Sequence, residues 1–520
     1  MEIPIRNQQA FDTGDPSPES TLQLSIHPLR NKNFLSSPLL RLPTELILKI
    51  FRHTIDWGPG LSSLILTAIC HKLRQVGIAF PQLWNVISFS TPPLVELFLE
   101  RCNHEPRSLL ITESQLPPEE RSVHNPSHDP RWKAVLEKLE GRAFNDLRTL
   151  VFEGVPHTFV DVVVGVIRRA PNITNIDLRY RIPPHKELPW SLGDPVPCLT
   201  ILRLRGFWIS WTSPLLRNLR HLTLDFGIVR SIPEETTVET FLTALANCPD
   251  LEILDLAFAG PDLLSENQDN CNRAVQLFKL QELSLMFHGP SRIQQILSHI
   301  DYPKSTVVKL EASIDSDTEL PDAISQLFSR RNIETLQRPR SNALTVRLDG
   351  AYTFFTDDLF VRIFTYSCTR PRYTPQALAR FASKIVEVVG SDNITSLGVQ
   401  AWYASFPEGM WDAFLRGFPC LERIRYNLEA GTGDDRFTDP FVSVFSRPFE
   451  GGPVCPQLRY LEIPQRVVSQ SASAAALKRV LEERNARGKR LKRMGISGDT
   501  REMDRPVSLE SFRGLVDDVC

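Results

Sequence analysis

Long apolar runs are missing from this 520-residue chain, and none approaches the ~18 residues that carry a helix across a bilayer, so no membrane span is expected. The first thirty residues carry Glu2, Asp12, Asp15 and Glu19 around no apolar core, which does not read as a secretory leader. Cysteine is sparse and unpatterned: nine residues scattered from Cys70 to Cys520, none in CxxC spacing, fit reduced thiols better than disulfides or a zinc site. No sign of charge dominates, because 59 Lys and Arg face 61 Asp and Glu for a net of −2. A broad positive field is therefore absent, and neither nucleic acid nor membrane is an expected partner. Also missing are GxxxxGK[ST], a strand-flanked GxGxxG, GxSxG and HExxH, so the chain reads as non-catalytic and cofactor-free. These absences point to a protein of the cytoplasm, the nucleus or both.

What is present is the balance of a folded protein, 42% apolar and 23% charged. Single cores stop growing near ~250–300 residues, so at least two structural units are expected. Residues 1–38, rich in Ser, Pro, Asn and Gln, read as a solvated tail. The pattern changes at Leu40, where Pro43 suits a first helical turn and Glu45 complements a helix N-terminus. Leu46, Ile50 and Phe51 are placed on one face of that helix. Asp56-Trp57-Gly58-Pro59-Gly60 breaks it, a second helix is expected from about Leu61 to Val76, and a short apolar element follows from Pro81 to Ile87. So small a module is marginal alone and invites a partner to complete its apolar face.

The run Leu42-Pro43-Thr44-Glu45-Leu46, then Cys70 followed by basic residues, then Pro81-Gln82-Leu83-Trp84, resembles the F-box in order and spacing. The family often has Trp three positions after the Cys, where this chain has Leu73. The resemblance covers residues 39–92. It implies that Leu42, Pro43, Leu46, Ile50 and Phe51, supported by Leu83 and Trp84, pack on the Skp adaptor, and through it a cullin, in a cullin-RING ubiquitin ligase. The chain would then be a receptor subunit whose remaining body binds a protein substrate. The competing reading is a non-catalytic repeat scaffold whose F-box-like region joins no ligase.

Residues 93–142 read as linker helices with an exposed proline-rich loop at 115–131. His124, His128 and Asp129 in that loop lack the partners of a metal site, so none is assigned. Beyond it, Leu-x-x-Leu-x-Leu pieces recur, beginning at Leu147, Ile173, Leu199, Leu219, Leu251 and Leu280, with weaker copies from Ile394, Leu421 and Leu458. Each places alternating apolar residues on one strand face. Pro171, Pro197, Pro249, Pro419 and Pro456 each stand two residues before the first anchor of a copy, where a proline would end a preceding helix. Strand then helix is the expected unit. The spacings, about 20 to 37 residues, are looser than the ~20–29 of common leucine-rich repeats.

The expected fold is therefore α/β: a small N-terminal three-helix F-box, then an irregular leucine-rich-repeat solenoid over 143–496 with a curved parallel sheet inside and helices outside. The repeats blur between Val307 and Thr369. Residues 497–520 are expected as a tail or capping helix carrying Leu509, Phe512, Leu515 and Val516. Cys198, Cys248, Cys420 and Cys455, beside the anchors, read as small buried hydrophobes. The basic run Arg487–Arg493 reads as a solvated face leading into a strand, with nuclear import as the other reading. Alternation sends Thr149, Asp177, Arg203, Thr223, Asp255 and Ser284 away from the core, which makes them the candidate substrate contacts.

Overall fold

The computed structural model describes residues 38–56, 62–88, 92–102, 107–112, 144–153, 160–179, 196–227, 237–260, 273–314, 323, 326–327, 342–348, 351–357, 359–365, 374–390, 392–401, 406–428, 439–447, 454–497 and 512–519. The expected tail, the loop at 115–131 with His124, His128 and Asp129, and Leu509 lie outside the described residues. The chain divides into two compact units, Met1–Phe80 and Pro81–Cys520.

In the first unit, a turn of helix at Pro38–Arg41 leads into the helix Thr44–Asp56, with Pro43 just ahead of its first turn and Glu45 within it. The single helix expected from Leu61 to Val76 is two helices, Ser62–Ile69 and His71–Ala79. Cys70 separates them in an extended conformation, with φ −157° and ψ 166°. That break folds one short helix back on the other. Gly77 allows the approach: a Cβ there would collide with the Thr67 methyl and touch the Phe51 ring at 3.8 Å. Ile47, Phe51, Leu73 and Val76 form the buried centre.

The second unit is built on one sheet. Pro81–Trp84, expected in the N-terminal module, is a 3-10 turn of this unit, followed by β1 (Val86–Ser88) and the helix Pro92–Arg101. Trp84 packs edge-on against Phe98, centroids 5.1 Å apart, beneath the Arg101 guanidinium. Then come β2 (Ser108–Thr112), β3 (Thr149–Glu153), β4 (Asn175–Arg179), β5 (Ile201–Arg205), β6 (His221–Asp225) and β7 (Ile253–Ala257). They are followed by β8 (Val275–Gln276), β9 (Glu282–His288), β10 (Ile300–Asp301) and β11 (Val307–Ile314). All nine Leu-x-x-Leu-x-Leu pieces end in strands. The first anchor of each lies in the turn before its strand, and the next two alternate into the core: Leu150 and Phe152, Leu202 and Leu204, Leu254 and Leu256.

The prolines have a more specific role than ending a helix. Ile173, Leu199, Leu251, Leu421 and Leu458 each donate a backbone hydrogen bond to the carbonyl three residues earlier. Pro171, Pro197, Pro249, Pro419 and Pro456 thus occupy the second position of a β-turn, where a fixed φ is favourable. Cys248 and Cys455 open two of these turns and are buried. Cys198 and Cys420 follow the proline in two others and are half-buried.

The blurred region is where polarity reverses. After β11 come β12 (Ala343–Leu348), β13 (Ala351–Phe355) and β14 (Leu359–Thr365), a meander in which β13 is antiparallel to both neighbours. In space β14 pairs with β11, and β12 pairs with β15 (Ser396–Ala401), so a sheet expected to be wholly parallel carries one reversed strand. It continues parallel through β16 (Arg423–Leu428), β17 (Tyr460–Pro464), β18 (Leu491–Ser497) and β19 (Val516–Val519). Among the described residues seventeen strands join this sheet, and β8 pairs with β10 separately.

Helices cover its apolar face at Val160–Arg169, Val238–Ala246, Pro290–Ser298, Pro375–Val389, Glu408–Gly417, Pro440–Phe445 and Ser471–Ala486. The strand-then-helix unit fails between β5 and β6, where Phe207, Ile209, Trp211, Leu215 and Leu216 bury themselves from an irregular loop. Gly206 and Asn218, both at positive φ, flank that loop, and Pro214 lies in it. The C-terminal segment, expected as tail or capping helix, adds the edge strand β19, where Asp517 and Asp518 are exposed and discourage further pairing.

Candidate interaction surfaces

Two surfaces offer binding chemistry, one on each unit. On the first, the helix Thr44–Asp56 divides its apolar residues between two faces. Ile47 and Phe51, four apart, point inward, while Leu46 and Ile50, also four apart, are 43% and 39% exposed. Phe51 therefore leaves the face shared by Leu46 and Ile50, because the approach of Gly77 draws its ring into the core. Leu42 is half-buried and Pro43 exposed beside the helix start. Leu39, Ile65, Ile69 and Ile78 are further exposed apolar side chains of this unit, with Ile65 and Ile69 again four apart. Leu83 and Trp84, at 4% and 0% exposure, offer no surface in the second unit. Leu73, at the position where the F-box pattern often has Trp, is 1% exposed and belongs to the core.

The second surface is the face of the sheet opposite the helices. Asp177, Arg203, Thr223, Asp255 and Ser284 are successive partners in one row across β4, β5, β6, β7 and β9. Thr149 stands in the adjacent row, paired with Asn175. Asp177 and Thr223 are buried, while Thr149, Arg203, Asp255 and Ser284 are half-buried. Arg179 grips Asp177 with two bonds of 2.9 Å, which raises the guanidinium pKa. Burial pushes the Asp255 carboxyl above its ordinary range; the hydrogen bond from Ser284 and the charge of Arg205 oppose that, and Asp225 and Glu282 add to it. Glu282 pairs with Lys309 at 2.5 Å.

Arg205, Asp225, Glu282, Lys309 and, farther along, Arg423, Arg425, Tyr460 and Glu462 belong to this face and escaped the sequence reading, while Arg493, read there as part of a solvated basic run, joins their row beside Tyr460. The same alternation, carried two residues along each strand and on into the later copies, would have found them. Among the described residues no helix is long and apolar enough to cross a membrane, and no group of three or more His, Cys, Asp or Glu is placed to hold a metal ion.

No family model matches the chain. No curated protein matches it either. Among solved structures it is similar to the leucine-rich repeat-containing protein LegL7 from Legionella pneumophila, with 12% identity over 68% of this chain and 93% of that one, and a TM-score of 0.18. The repeat character of the second unit rests on its own ladder, in which one backbone carbonyl takes two N–H groups from the next copy. Arg107, Arg148, Thr174, Thr200 and Arg220 do so in turn, and Thr395, Glu422 and Arg459 repeat it later.

Proposed function

We propose that the chain is a substrate-recruiting subunit of a Skp-cullin-RING ubiquitin ligase, its first unit docking the Skp adaptor and its sheet unit holding a target protein. The observation that carries the reading is where the exposed apolar side chains fall. Of the seven large hydrophobic residues exposed among the described residues, Leu39, Leu46, Ile50, Ile65, Ile69 and Ile78 belong to the first unit, and Phe278 alone to the second. A concentration of that kind on so few residues marks a binding surface. Helix faces with aliphatic anchors are an ordinary mode of protein recognition. The F-box-like order Leu-Pro-x-Glu-Leu, Cys, Pro-x-Leu-Trp supplies the identity of the partner. The second unit contributes an extended face of alternating charges, suited to a protein surface.

The test is a pull-down of purified Skp adaptor by the full-length protein and by its Leu46→Asp, Ile50→Asp variant, with helix content checked by circular dichroism. Capture by the wild type and loss in a folded variant is the expected result. A folded wild type that captures no adaptor overturns the ligase reading and leaves a repeat scaffold.

A further inference from the structure

The sheet unit is unevenly charged. Residues 454–497 hold ten Lys or Arg and three Glu within a chain of net charge −2. The basic run Arg487–Arg493 is part of the folded body: Arg487 caps the helix Ser471–Ala486, Gly488 turns the chain at φ +72°, and Leu491 opens β18. Register then brings its cations beside those of β16. Arg423, Tyr460 and Arg493 form one row across β16, β17 and β18. Both arginines are exposed, and the Arg423 guanidinium lies 5.0 Å from the centre of the Tyr460 ring. Arg459 and Lys492, also exposed, adjoin the row, the Arg459 carbonyl accepting from the N–H groups of both Lys492 and Arg493. Arg423, Arg459 and Lys492 have no carboxylate partner among the described residues. Arg425, two residues along β16, is held by Glu462 at 2.7 Å, and Arg493 meets Asp518 at 3.6 Å.

We propose that Arg423, Tyr460 and Arg493, flanked by Arg459 and Lys492, form a platform for an extended acidic segment of the recruited protein, a proposal that rests on the reading that the sheet unit holds a target. Two strand spacings separate Arg423 from Arg493, about 9.6 Å. Carboxylates at i and i+3 of a segment in the extended polyproline-II form, with three residues per turn, share one face about 9 Å apart and would meet the two guanidiniums, with the intervening residues over Tyr460. Arginine suits planar recognition of a carboxylate. A nucleic acid fits less well. The row has one aromatic where strand-binding proteins use several, and Glu462, Asp517 and Asp518 border the platform and would repel a continuous chain of phosphates. A short acidic motif places charge over the arginines alone.

Fluorescence anisotropy with the full-length protein tests this, using synthetic peptides with a Glu pair at each spacing from i,i+1 to i,i+5, the same peptides with Gln or Lys, apolar peptides, and a single-stranded RNA. The i,i+3 Glu peptide is expected to bind at least tenfold more tightly than its Gln counterpart, and salt weakens it. Arg423→Glu, Arg493→Glu reduces that binding at least tenfold and transfers preference to the Lys peptide, a gain that an unfolded variant cannot show. Arg423→Gln, Arg493→Gln loses the Glu peptide without that gain. Three results overturn the platform: no peptide bound, Glu and Gln peptides bound alike, or RNA bound more tightly than any peptide. None of them touches adaptor docking, which the pull-down reads separately. Where the platform is overturned because Glu and Gln peptides bind alike, apolar peptides bound equally by wild type and variant place target binding elsewhere on the sheet unit and leave the recruitment reading standing.

Discussion

Gly417 stands directly against Val386: a Cβ on Gly417 would lie 2.5 Å from both Val386 methyl groups. Gly417 closes the helix Glu408–Gly417 and Val386 lies on Pro375–Val389, so the glycine sets how closely these two helices pack. Valine is stiff at χ1 and has little freedom to swing aside. Gly417→Ala is expected to destabilise by about 1–3 kcal/mol through overpacking, even though alanine is the better helix former by ~1 kcal/mol. Val386→Ala in the same chain should recover part of the loss. Urea midpoints of the two single variants and the double variant check this, and an unchanged midpoint for Gly417→Ala would sink it.

The strands were legible because the Leu-x-x-Leu-x-Leu pattern states a local requirement, an anchor in a turn and two leucines alternating inward. The helix Pro375–Val389 follows the same local logic, with Pro375 at its start and its apolar residues at helical spacing. Strand direction is not local. Leu344, Val346, Phe354 and Val361 alternate inward whether their strands run parallel or antiparallel, so the reversal at β13 left no mark in the pattern. On the helix Thr44–Asp56, Ile50 and Phe51 are about 100° apart and periodicity alone allows either to face inward. A close approach at Gly77, distant in sequence, decided it. The basic platform was hidden differently: Arg423 and Arg493 are 70 positions apart and meet only through the register of β16, β17 and β18.

Arg484 is buried at 1% exposure and donates to the carbonyls of Val454, Cys455 and Leu458 at 2.8, 3.1 and 3.2 Å. It thereby satisfies the turn that Pro456 shapes before β17. Burial lowers its pKa, but a guanidinium stays protonated and its charge is spread over these acceptors. Arg484→Met fills similar space and leaves the Val454 and Leu458 carbonyls without this donor, while Cys455 still accepts from the Leu458 N–H, at about 1–3 kcal/mol for each unpaired buried group. The expected loss is at least about 2 kcal/mol, with Arg484→Lys intermediate because one ammonium does not span the fork. Chemical unfolding of both variants measures this, and equal stability of Met and wild type would show that water replaces the guanidinium.

Asp177 was read from the sequence as a substrate contact, yet its carboxylate is buried and gripped by Arg179, whose side chain is 39% exposed. Removing the arginine strands a buried charge, so Arg179→Met is expected to cost about 1–3 kcal/mol, less than a fully buried pair because solvent reaches the guanidinium. The double variant Arg179→Met, Asp177→Asn should recover most of it. Thermal unfolding of single and double variants gives the coupling. If Arg179→Met alone is silent, the pair is a surface contact and Asp177 is available to a partner after all.

Asp439 caps the helix Pro440–Phe445, accepting from the Phe441 N–H at 2.9 Å while its own N–H donates to the buried Ser473 hydroxyl at 2.8 Å. Burial pushes its carboxyl up from 3.8 to about 6, outweighing the Phe441 and Val442 amides, Arg466 and the facing Tyr426, which pull it down. Unfolded, the group loses its proton near 3.8; folded, it keeps it to about 6. Its contribution to stability is therefore complete below pH 3.8 and is lost as pH rises through about 6. The difference amounts to about 3 kcal/mol, at 1.36 kcal/mol per unit. Asp439→Asn keeps an oxygen for the Phe441 amide without the charge, so the variant should be more stable than the wild type at pH 7 and equal to it near pH 4. Urea midpoints of both proteins from pH 4 to 7.5 decide it: the two curves diverge upward in pH if the carboxyl ionises inside the fold, and run parallel if solvent relieves it.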